Sequence, residues 1–270
     1  MSYLPPDPSR PAPAVEPFDP RPQFYIRLSP PWVTRTLLAI NVAVFVAMIA
    51  AGFLLYNTFN GSEDMRILVL FGAKVNEFIA QGQTWRLFTA MFLHIGVFHL
   101  LFNLYALNAL GPLVEGYFGH VRFLAIYLIA GLFGSLASYA FSPVPSAGAS
   151  GAIFGLAGAT TVYFLRYREN FGARGRAILQ NMLLIIGINL VFGLTAPGID
   201  NWGHVGGLVG GALVAFGLLP RYAAPAVILP GSQPLQEETR TFHYALWVTV
   251  CIVVLVLGVE FATRAIHLAP

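Results

Sequence analysis

Residues 142–165 read SPVPSAGASGAIFGLAGATTVYFL, and their pattern predicts an unusual arrangement if the chain spans a membrane. The apolar part, Ser150 to Leu165, has about 16 residues, so as a helix it falls about 6 Å short of the hydrocarbon core. Arg166 and Arg168 hold its far end at the membrane surface, so the loop before Ser150 must dip into the bilayer. Irregular backbone at that depth needs protein or a watery cavity around it. We therefore expect a polar hollow at Ser150.

The composition indicates a membrane protein. Hydrophobic residues make up 57% of the 270 residues and charged residues only 10%, against about 25% charged in soluble domains. The mean hydropathy is +0.69. So few charges cannot cover a water-facing surface, which excludes a soluble globule, a disordered chain and a coiled coil. The single cysteine excludes an intramolecular disulfide, and the net charge of +3 gives no indication of nucleic-acid binding.

Seven apolar segments predict an all-α, polytopic membrane bundle. We expect a disordered, Pro-rich cytoplasmic tail over 1–31, a six-helix core over 32–219, a cytoplasmic linker over 220–241 and a seventh transmembrane helix over 242–263. Between the first two segments lies a long loop whose second half we expect in the membrane interface. The segments are approximately Leu37–Tyr56, Gly96–Leu113, Phe123–Phe141, Ser150–Leu165, Ala177–Leu194, Trp202–Leu219 and Phe242–Phe261.

The basic residues predict the orientation. With the N-terminus in the cytoplasm, eleven Lys and Arg residues fall on the inner side and four on the outer side. That distribution follows the positive-inside rule. The outer four are Arg66, Lys74, Arg86 and Arg264.

Polar side chains inside spanning segments are costly and are often functional. Ser150 lies in Gly-Ala-Ser-Gly, His204 lies in the sixth segment, and His99 precedes Asn103 by four residues in the second. With the predicted topology, His99, Ser150 and His204 each fall near the first turn of a helix that runs inward. They should therefore lie at similar depth, with Asn103 on the same helix face as His99.

These residues could together perform acyl transfer. A serine hydroxyl needs a base such as neutral imidazole, and the tetrahedral intermediate needs donors for its oxyanion. Asn103, His99 and the backbone N–H groups of Ser150 and Gly151 could donate. We place Asp200 in the outer loop as a helix cap, so the sequence predicts a Ser–His dyad without an acid.

Each signal has a simpler interpretation when taken alone. A serine at a helix start is most often an N-cap. An intramembrane histidine can serve a proton relay, a metal or a helix contact, and Gly-xxx-Gly spacings are usually packing faces. A transporter with His204 in a proton path would need polar residues continuing to the cytoplasmic side, and often an inverted repeat. The sequence has neither.

The motifs resemble those of the rhomboid intramembrane serine proteases. Residues 148–151 match the family's Gly-x-Ser-Gly motif, and residues 204–211 match His-x-x-Gly-x-x-x-Gly. Residues 99–103 match His-x-x-x-Asn, and residues 85–86 match the Trp-Arg pair of the first loop. The resemblance covers residues 32–219, and the extra segment resembles the six-plus-one variant of the family.

The resemblance implies that Ser150 is the nucleophile and His204 the general base and later acid. It implies an oxyanion hole of Asn103, His99 and the Ser150 amide, to which the residues add the Gly151 amide. Substrates would be single-pass membrane proteins cut near the outer face, with access through movement of the fifth helix and the outer loop. A rhomboid-like protein that binds clients without cleaving them is the alternative, although such proteins generally lack the Ser or the His.

The remaining site residues also follow from the resemblance. Gly148, Phe154 and Trp202 are expected to line the site, and Phe154 stands where many bacterial members have Tyr. We expect structural roles for the four residues Trp85, Arg86, Glu115 and His94, with a structural hydrogen bond at His94. No metal, other cofactor or nucleic acid is implied. The partners would be membrane substrates and the bilayer, in a bacterial inner membrane, with the active site opening to the periplasm.

Overall fold

A computed structural model describes residues 23–195, 198–229 and 231–268. The chain divides into two compact units. The larger contains residues 28–221 and 239–270 and holds all the helices. The smaller is formed by the N-terminal segment together with residues 222–238. Most of the expected Pro-rich tail lies outside the described residues.

The helices of the larger unit agree with the apolar segments but extend beyond most of them. Within the described ranges, five helices are long and apolar enough to span a membrane, as expected where every backbone polar group must be satisfied inside the protein. α8, with 18 residues, is not among these five, and its first turn holds the polar residues Asn201 and His204. The helices are α1 Trp32–Tyr56, α2 Met65–Phe71, α3 Asn76–Ala80, α4 Arg86–Thr89, α5 Val97–Phe118, α6 His120–Phe141, α7 Ser150–Thr195, α8 Asn201–Leu218 and α9 Thr241–Leu268.

The fourth and fifth segments form two arms of α7. The arms meet at Gly172, whose backbone is not helical (φ 53°, ψ −130°). We call residues 150–171 the nucleophile arm and residues 173–195 the outer arm. The nucleophile arm continues past Leu165, where we expected it to end. The charged residues after Leu165 ended the apolar pattern, but Arg and Glu are good helix formers and continue the helix.

α8 lies at the centre of the bundle, against both α6 and α7. Where its glycines face the neighbouring helices there is no room for a side chain. A Cβ on Gly207 would overlap the backbone of Gly151, and a Cβ on Gly211 would overlap the backbone of Gly155. This close approach of two backbones is the packing that small residues permit in membranes.

The seventh apolar segment, α9, belongs to the same compact unit as the other helices. The Trp247 indole N–H donates to the Leu213 carbonyl of α8 at 3.1 Å. At the other end of α9, the hydroxyls of Thr263 and Tyr139 lie 3.0 Å apart. α9 therefore packs along α6 and α8, although a linker separates it from them in sequence.

At the end of the bundle remote from Ser150, the Glu115 side chain connects α5 to α1. Its buried carboxylate accepts from the backbone N–H groups of Val33 and Thr34, both at 2.8 Å, and from the Thr34 hydroxyl at 2.6 Å. The His120 ring nitrogen Nδ1 lies 2.6 Å from the same carboxylate. Glu115, for which a structural role was predicted, thus attaches the start of α1 to the end of α5.

The smaller unit contains short strands, a local departure from the all-α prediction. β1 (Gln23–Tyr25) pairs in parallel with β3 (Ser232–Pro234), and β2 (Tyr222–Ala223) pairs antiparallel with β4 (Gln236–Glu237). The last part of the expected tail is therefore a strand. Its partner lies more than 200 residues along the chain, so no local pattern indicates the pairing.

Candidate active site

Ser150 is the first residue of α7, and the backbone before it is held in an unusual conformation. Gly148 has φ 141°, which side-chain-bearing residues rarely adopt. A Cβ at this position would lie 2.8 Å from the His99 ring. The Gly148 N–H donates to the Ala90 carbonyl at 2.9 Å. Position 148 therefore requires glycine both for its backbone angle and for the space beside His99.

The second residue of the expected pair, His204, lies in the first turn of α8. Its Nε2 is 2.9 Å from the Ser150 hydroxyl oxygen. The Phe154 ring, one turn after Ser150, stacks on the imidazole with ring centres 4.3 Å apart and planes within 9°. The structure therefore brings together three of the residues singled out from the sequence.

Asp200 caps α8, as expected, and does not reach the imidazole. Its carboxylate accepts from the Gly203 N–H at 2.9 Å, and its backbone carbonyl accepts from the His204 N–H at 3.1 Å. In the described part of the chain, the His204 Nδ1 has no hydrogen-bond partner. The geometry is that of a Ser–His pair without an orienting acid.

His99 presents a donor to the space beside Ser150. The Ile95 N–H points at the His99 Nδ1 at 3.3 Å, so Nδ1 is the acceptor and Nε2 carries the proton of the neutral ring. A Cβ built on Gly148 would lie 2.8 Å from His99 Nε2 and 3.7 Å from the Ser150 hydroxyl. Both groups thus lie close to the same point beside Gly148.

Asn103 lies where expected, one turn after His99, but its amide is turned back along its own helix. Nδ2 donates to the His99 carbonyl at 2.8 Å. One of the two amide hydrogens is used in this bond, and the other remains for a ligand. Asn103 therefore has one amide N–H bonded within its own helix and a second that can be donated to a ligand.

A small cavity of about 30 Å³ adjoins Ser150. This is enough for a water molecule, and it forms part of the polar hollow expected from the sequence. Ser135, Ser138 and Asp200 are among its polar lining residues. The two serines were not predicted from the sequence, although their i, i+3 spacing places them on one face of an apolar helix.

Trp202 lies at the rim of the site rather than in the cavity. Its ring is 49% exposed and packs against Phe141 at 4.9 Å. Of the residues expected to be structural, Arg86 donates to the carbonyls of Val69 at 2.8 Å and Ala73 at 3.3 Å. The Trp85 ring contacts Gly72, so both residues hold the first loop together.

The hydrogen bond expected at His94 is not formed to any described residue. Both ring nitrogens are buried without a partner, and the ring packs edge-on against His99 at 5.4 Å. His94 therefore supports His99 by packing.

Across the described ranges, His, Cys, Asp and Glu side chains form no group of three placed to bind a metal ion.

Comparison with known proteins agrees with this geometry. Residues 81–221, about half of the chain, match the model of the Rhomboid domain. The chain is 50% identical over 182 residues to the rhomboid protease GluP of Bacillus subtilis, an alignment that covers 67% of this chain and 35% of GluP.

Plant relatives cover more of their own length. RHOMBOID-like protein 1 of Arabidopsis thaliana is 31% identical over 84% of this chain and 65% of its own. RHOMBOID-like protein 6, mitochondrial, of the same plant is 34% identical over 70% of this chain and 69% of its own. The chain thus spans between about a third and two thirds of the length of these three relatives. It belongs to the rhomboid family.

Proposed function

We propose that this chain is an intramembrane serine endopeptidase that uses Ser150 and His204 as a catalytic dyad. The observation that carries the proposal is the 2.9 Å contact between the Ser150 hydroxyl and the His204 Nε2. A nucleophile and its base within hydrogen-bond reach are the minimum for acyl transfer. Membership of a family that includes a named protease supports the same function.

In the proposed reaction, His204 Nε2 takes the proton of Ser150 as the hydroxyl oxygen bonds to the substrate carbonyl carbon. The oxyanion accepts hydrogen bonds from His99 Nε2, Asn103 Nδ2 and the backbone N–H groups of Ser150 and Gly151. Collapse breaks the peptide C–N bond, and the imidazolium gives its proton to the leaving nitrogen. Water, activated by the same imidazole, then hydrolyses the acyl-enzyme and regenerates Ser150.

Stacking explains how His204 can act without an acid. In Ser–His–Asp enzymes the acid holds the imidazole in its orientation and tautomer. Here Phe154 packs flat on the ring, and the Asp200 cap fixes the backbone of the first turn that bears it. Orientation is thus supplied by packing, while Nδ1 keeps the proton because Nε2 faces the serine.

We further propose that substrates are single-pass membrane proteins, cut near the outer membrane face. The long first loop, residues 142–149 and the C-terminus of α9 meet at the Ser150 end of the bundle. The positive-inside rule assigns this end to the outer side. A bacterial inner membrane, with the N-terminus and residues 220–241 cytoplasmic, completes the proposal.

The test is cleavage of a reporter by purified full-length protein. A single-pass substrate with small, helix-breaking residues near its outer end would be incubated with wild type, Ser150→Ala or His204→Ala, and the products read by mass spectrometry. We expect a cut by wild type and a loss of at least a thousandfold in either variant, since the two residues act as one unit. Near wild-type turnover in either variant would overturn the dyad.

A fluorophosphonate probe distinguishes a wrong substrate from an absent activity. The probe labels only an activated serine, so it needs no knowledge of the natural substrate. Labelling of wild type at Ser150, with none in His204→Ala, would support the protease even without reporter cleavage. Absence of both cleavage and labelling would favour a rhomboid-like protein that only binds its clients.

A further inference from the structure

A fully buried lysine joins the first loop to the segment that precedes Ser150. Lys74 is 0% exposed. Its ammonium donates to the Ser142 carbonyl at 2.7 Å and to the Val144 carbonyl at 2.9 Å. The backbones of Lys74 and Ser146 also form an antiparallel bridge, with N–H···O distances of 2.9 and 3.0 Å. One residue thus holds three positions of a single short segment.

Asn76 strengthens the same attachment. Its amide Nδ2 lies 3.1 Å from the carbonyls of both Tyr139 and Ser142. These carbonyls belong to the end of α6, where the last C=O groups of a helix have no partner within the helix. Positive charge is also favourable at a helix C-terminus, so Lys74 and Asn76 together cap α6.

The segment 142–149 is held from several sides. Ser146 contacts Ser138 of α6 through their hydroxyls at 3.0 Å, and Gly148 donates to Ala90 of the first loop. Gly148 is in turn the residue that faces the His99 ring. Only Ala147 separates the part held by Lys74 from this position, so a displacement of residues 142–146 would be transmitted directly to Gly148 and Ser150.

Burying a lysine side chain at position 74 is energetically unfavourable. Burial lowers the pKa of Lys74 to about 8, against the opposing influence of Asp200 and Glu77. Placing an ammonium out of water is unfavourable unless hydrogen bonds compensate. An apolar side chain of similar length would fill the volume without that cost, but could not bind two carbonyls. The carbonyl contacts are therefore the property that distinguishes lysine here.

We propose that Lys74 is a positioning residue of the reaction, which holds residues 142–148 so that Gly148, His99 and Ser150 form the oxyanion site. The inference rests on the proposed function. Lys74 does not touch substrate. It acts through the backbone that sets the Ser150 amide, so its loss should lower kcat far more than it raises KM.

The matched pair of variants is Lys74→Met and Arg66→Met. Each substitution removes one positive charge from the first loop and places the unbranched, apolar side chain of Met there. Arg66, however, pairs among the described residues only with Asp64 and the Tyr56 ring, and its side chain is largely exposed. We expect kcat on the reporter to fall at least tenfold in Lys74→Met with KM within about twofold, and both constants to stay within about twofold in Arg66→Met.

A conservative variant tests the mechanism further. Lys74→Gln keeps two N–H donors without the charge, and its shorter side chain can reach one carbonyl. We expect its kcat to lie between those of wild type and Lys74→Met. Equal kcat in wild type and folded Lys74→Met would overturn the proposal, as would equal losses in Lys74→Met and Arg66→Met.

Amide hydrogen exchange tests the attachment without catalysis. We expect faster exchange at residues 146–148 in Lys74→Met than in Arg66→Met, with the amides of α9 unchanged in both. Equal exchange would overturn the attachment whatever the activity. If wild type neither cleaves nor reacts with the probe while the exchange difference is present, the proposed function fails instead, and the catalytic role of Lys74 with it.

Discussion

The two arms of α7 are helices joined at the non-helical Gly172, and they are packed in opposite ways. The nucleophile arm is buried along much of its length and lies backbone to backbone against α8. The outer arm, beyond Gly172, turns large side chains away from the protein. Leu184 is 61% exposed, Ile188 58% and Val191 62%. A tightly packed helix and a more exposed one thus follow each other directly in the chain, on either side of Gly172.

The contrast separates two requirements of the proposed reaction. A hydrogen bond of 2.9 Å between side chains on different helices needs backbones that cannot shift, and glycine contacts supply that rigidity. Entry of a substrate needs an element that can move at small cost. Among the described residues, Met182 and Ile186 of the outer arm pack in one apolar cluster with side chains of the nucleophile arm, α5 and α8, and the Asn201 amide of α8 donates a hydrogen bond to the far end of the arm.

The largest effect should come from filling the rigid interface. A Cβ in Gly207→Ala would overlap the Gly151 carbonyl, so α8 must move away and carry His204 with it. A displacement near 1 Å costs about a hundredfold in rate, and overpacking costs about 1–3 kcal/mol in stability. We expect both losses in reporter kinetics and in reversible unfolding by SDS.

The matched control is Gly187→Ala on the outer arm, where a Cβ would have no neighbour within 4 Å. Alanine is the better helix former, by up to about 1 kcal/mol. Gly187→Ala should therefore keep the wild-type rate and be equally or more stable. If the two substitutions had equal effects, the distinction between the arms would be wrong.

The next largest effect concerns Lys74, which holds the segment before the nucleophile arm. Its buried ammonium should make the free energy of unfolding depend on pH. Its pKa is about 8 in the folded chain against 10.5 in the reference state, owing to burial. Between these values the unfolded chain binds more protons, so stability must rise with pH across that window, by at most about 3 kcal/mol. Below pH 8 the penalty is present in full.

The measurement is the unfolding free energy of wild type minus that of Lys74→Met, taken from pH 7 to pH 11. The difference should be flat below about pH 8 and increase above it. A difference that decreased with pH would mean that the folded protein favours the ammonium. The carbonyl contacts would then outweigh the cost of burial.

Ser150 and His204, the proposed dyad, are conspicuous in the sequence because they are polar side chains within apolar segments. Ser150, His204 and His99 were assigned to similar depth from topology alone. In the structure the His204 ring contacts the Ser150 hydroxyl, and the His99 ring lies beside Gly148, two residues before Ser150. The Asp200 cap was also predictable, since a helix start follows it directly. These features depend on local pattern and on the number of crossings, both of which a single sequence contains.

Other features depend on contacts that no local pattern encodes. Lys74 was counted only as an outer-side charge, because a lysine in a loop is usually solvated, and its burial follows from carbonyls that lie about 70 residues away. The pairing of Gln23–Tyr25 with Ser232–Pro234 is longer in range still. The length of the nucleophile arm was underestimated because apolar character ends before helical structure does.

A smaller effect is expected at Phe154, the residue of the nucleophile arm whose ring stacks on His204. Its stacking on His204 is worth about 0.5–1.5 kcal/mol beyond the buried area. Phe154→Leu should therefore lower kcat/KM by up to about tenfold, while Phe154→Tyr, which keeps the ring, should stay within about twofold. Equal rates in all three proteins would show that stacking does not orient the imidazole.

The smallest effect should appear where the outer arm is attached. The Asn201 amide of α8 donates to the Leu190 carbonyl at 3.3 Å. Interhelical hydrogen bonds in membranes are worth about 0.6 kcal/mol on average, so Asn201→Ala should raise the population of the detached arm about threefold. If opening limits the rate, cleavage of the reporter should rise by about that factor.

Asn189→Ala is the matched control, because the Asn189 amide donates to Ile185 within the same arm, at 2.8 Å. It should leave reporter cleavage unchanged, and a small fluorophosphonate should label both variants at the wild-type rate, since it needs no detachment of the arm. A lower labelling rate in Asn201→Ala would instead show that Asn201 acts on the dyad. Residue 201 begins the helix that bears His204. Labelling and cleavage together therefore show whether Asn201 acts on the proposed dyad or on the attachment of the outer arm.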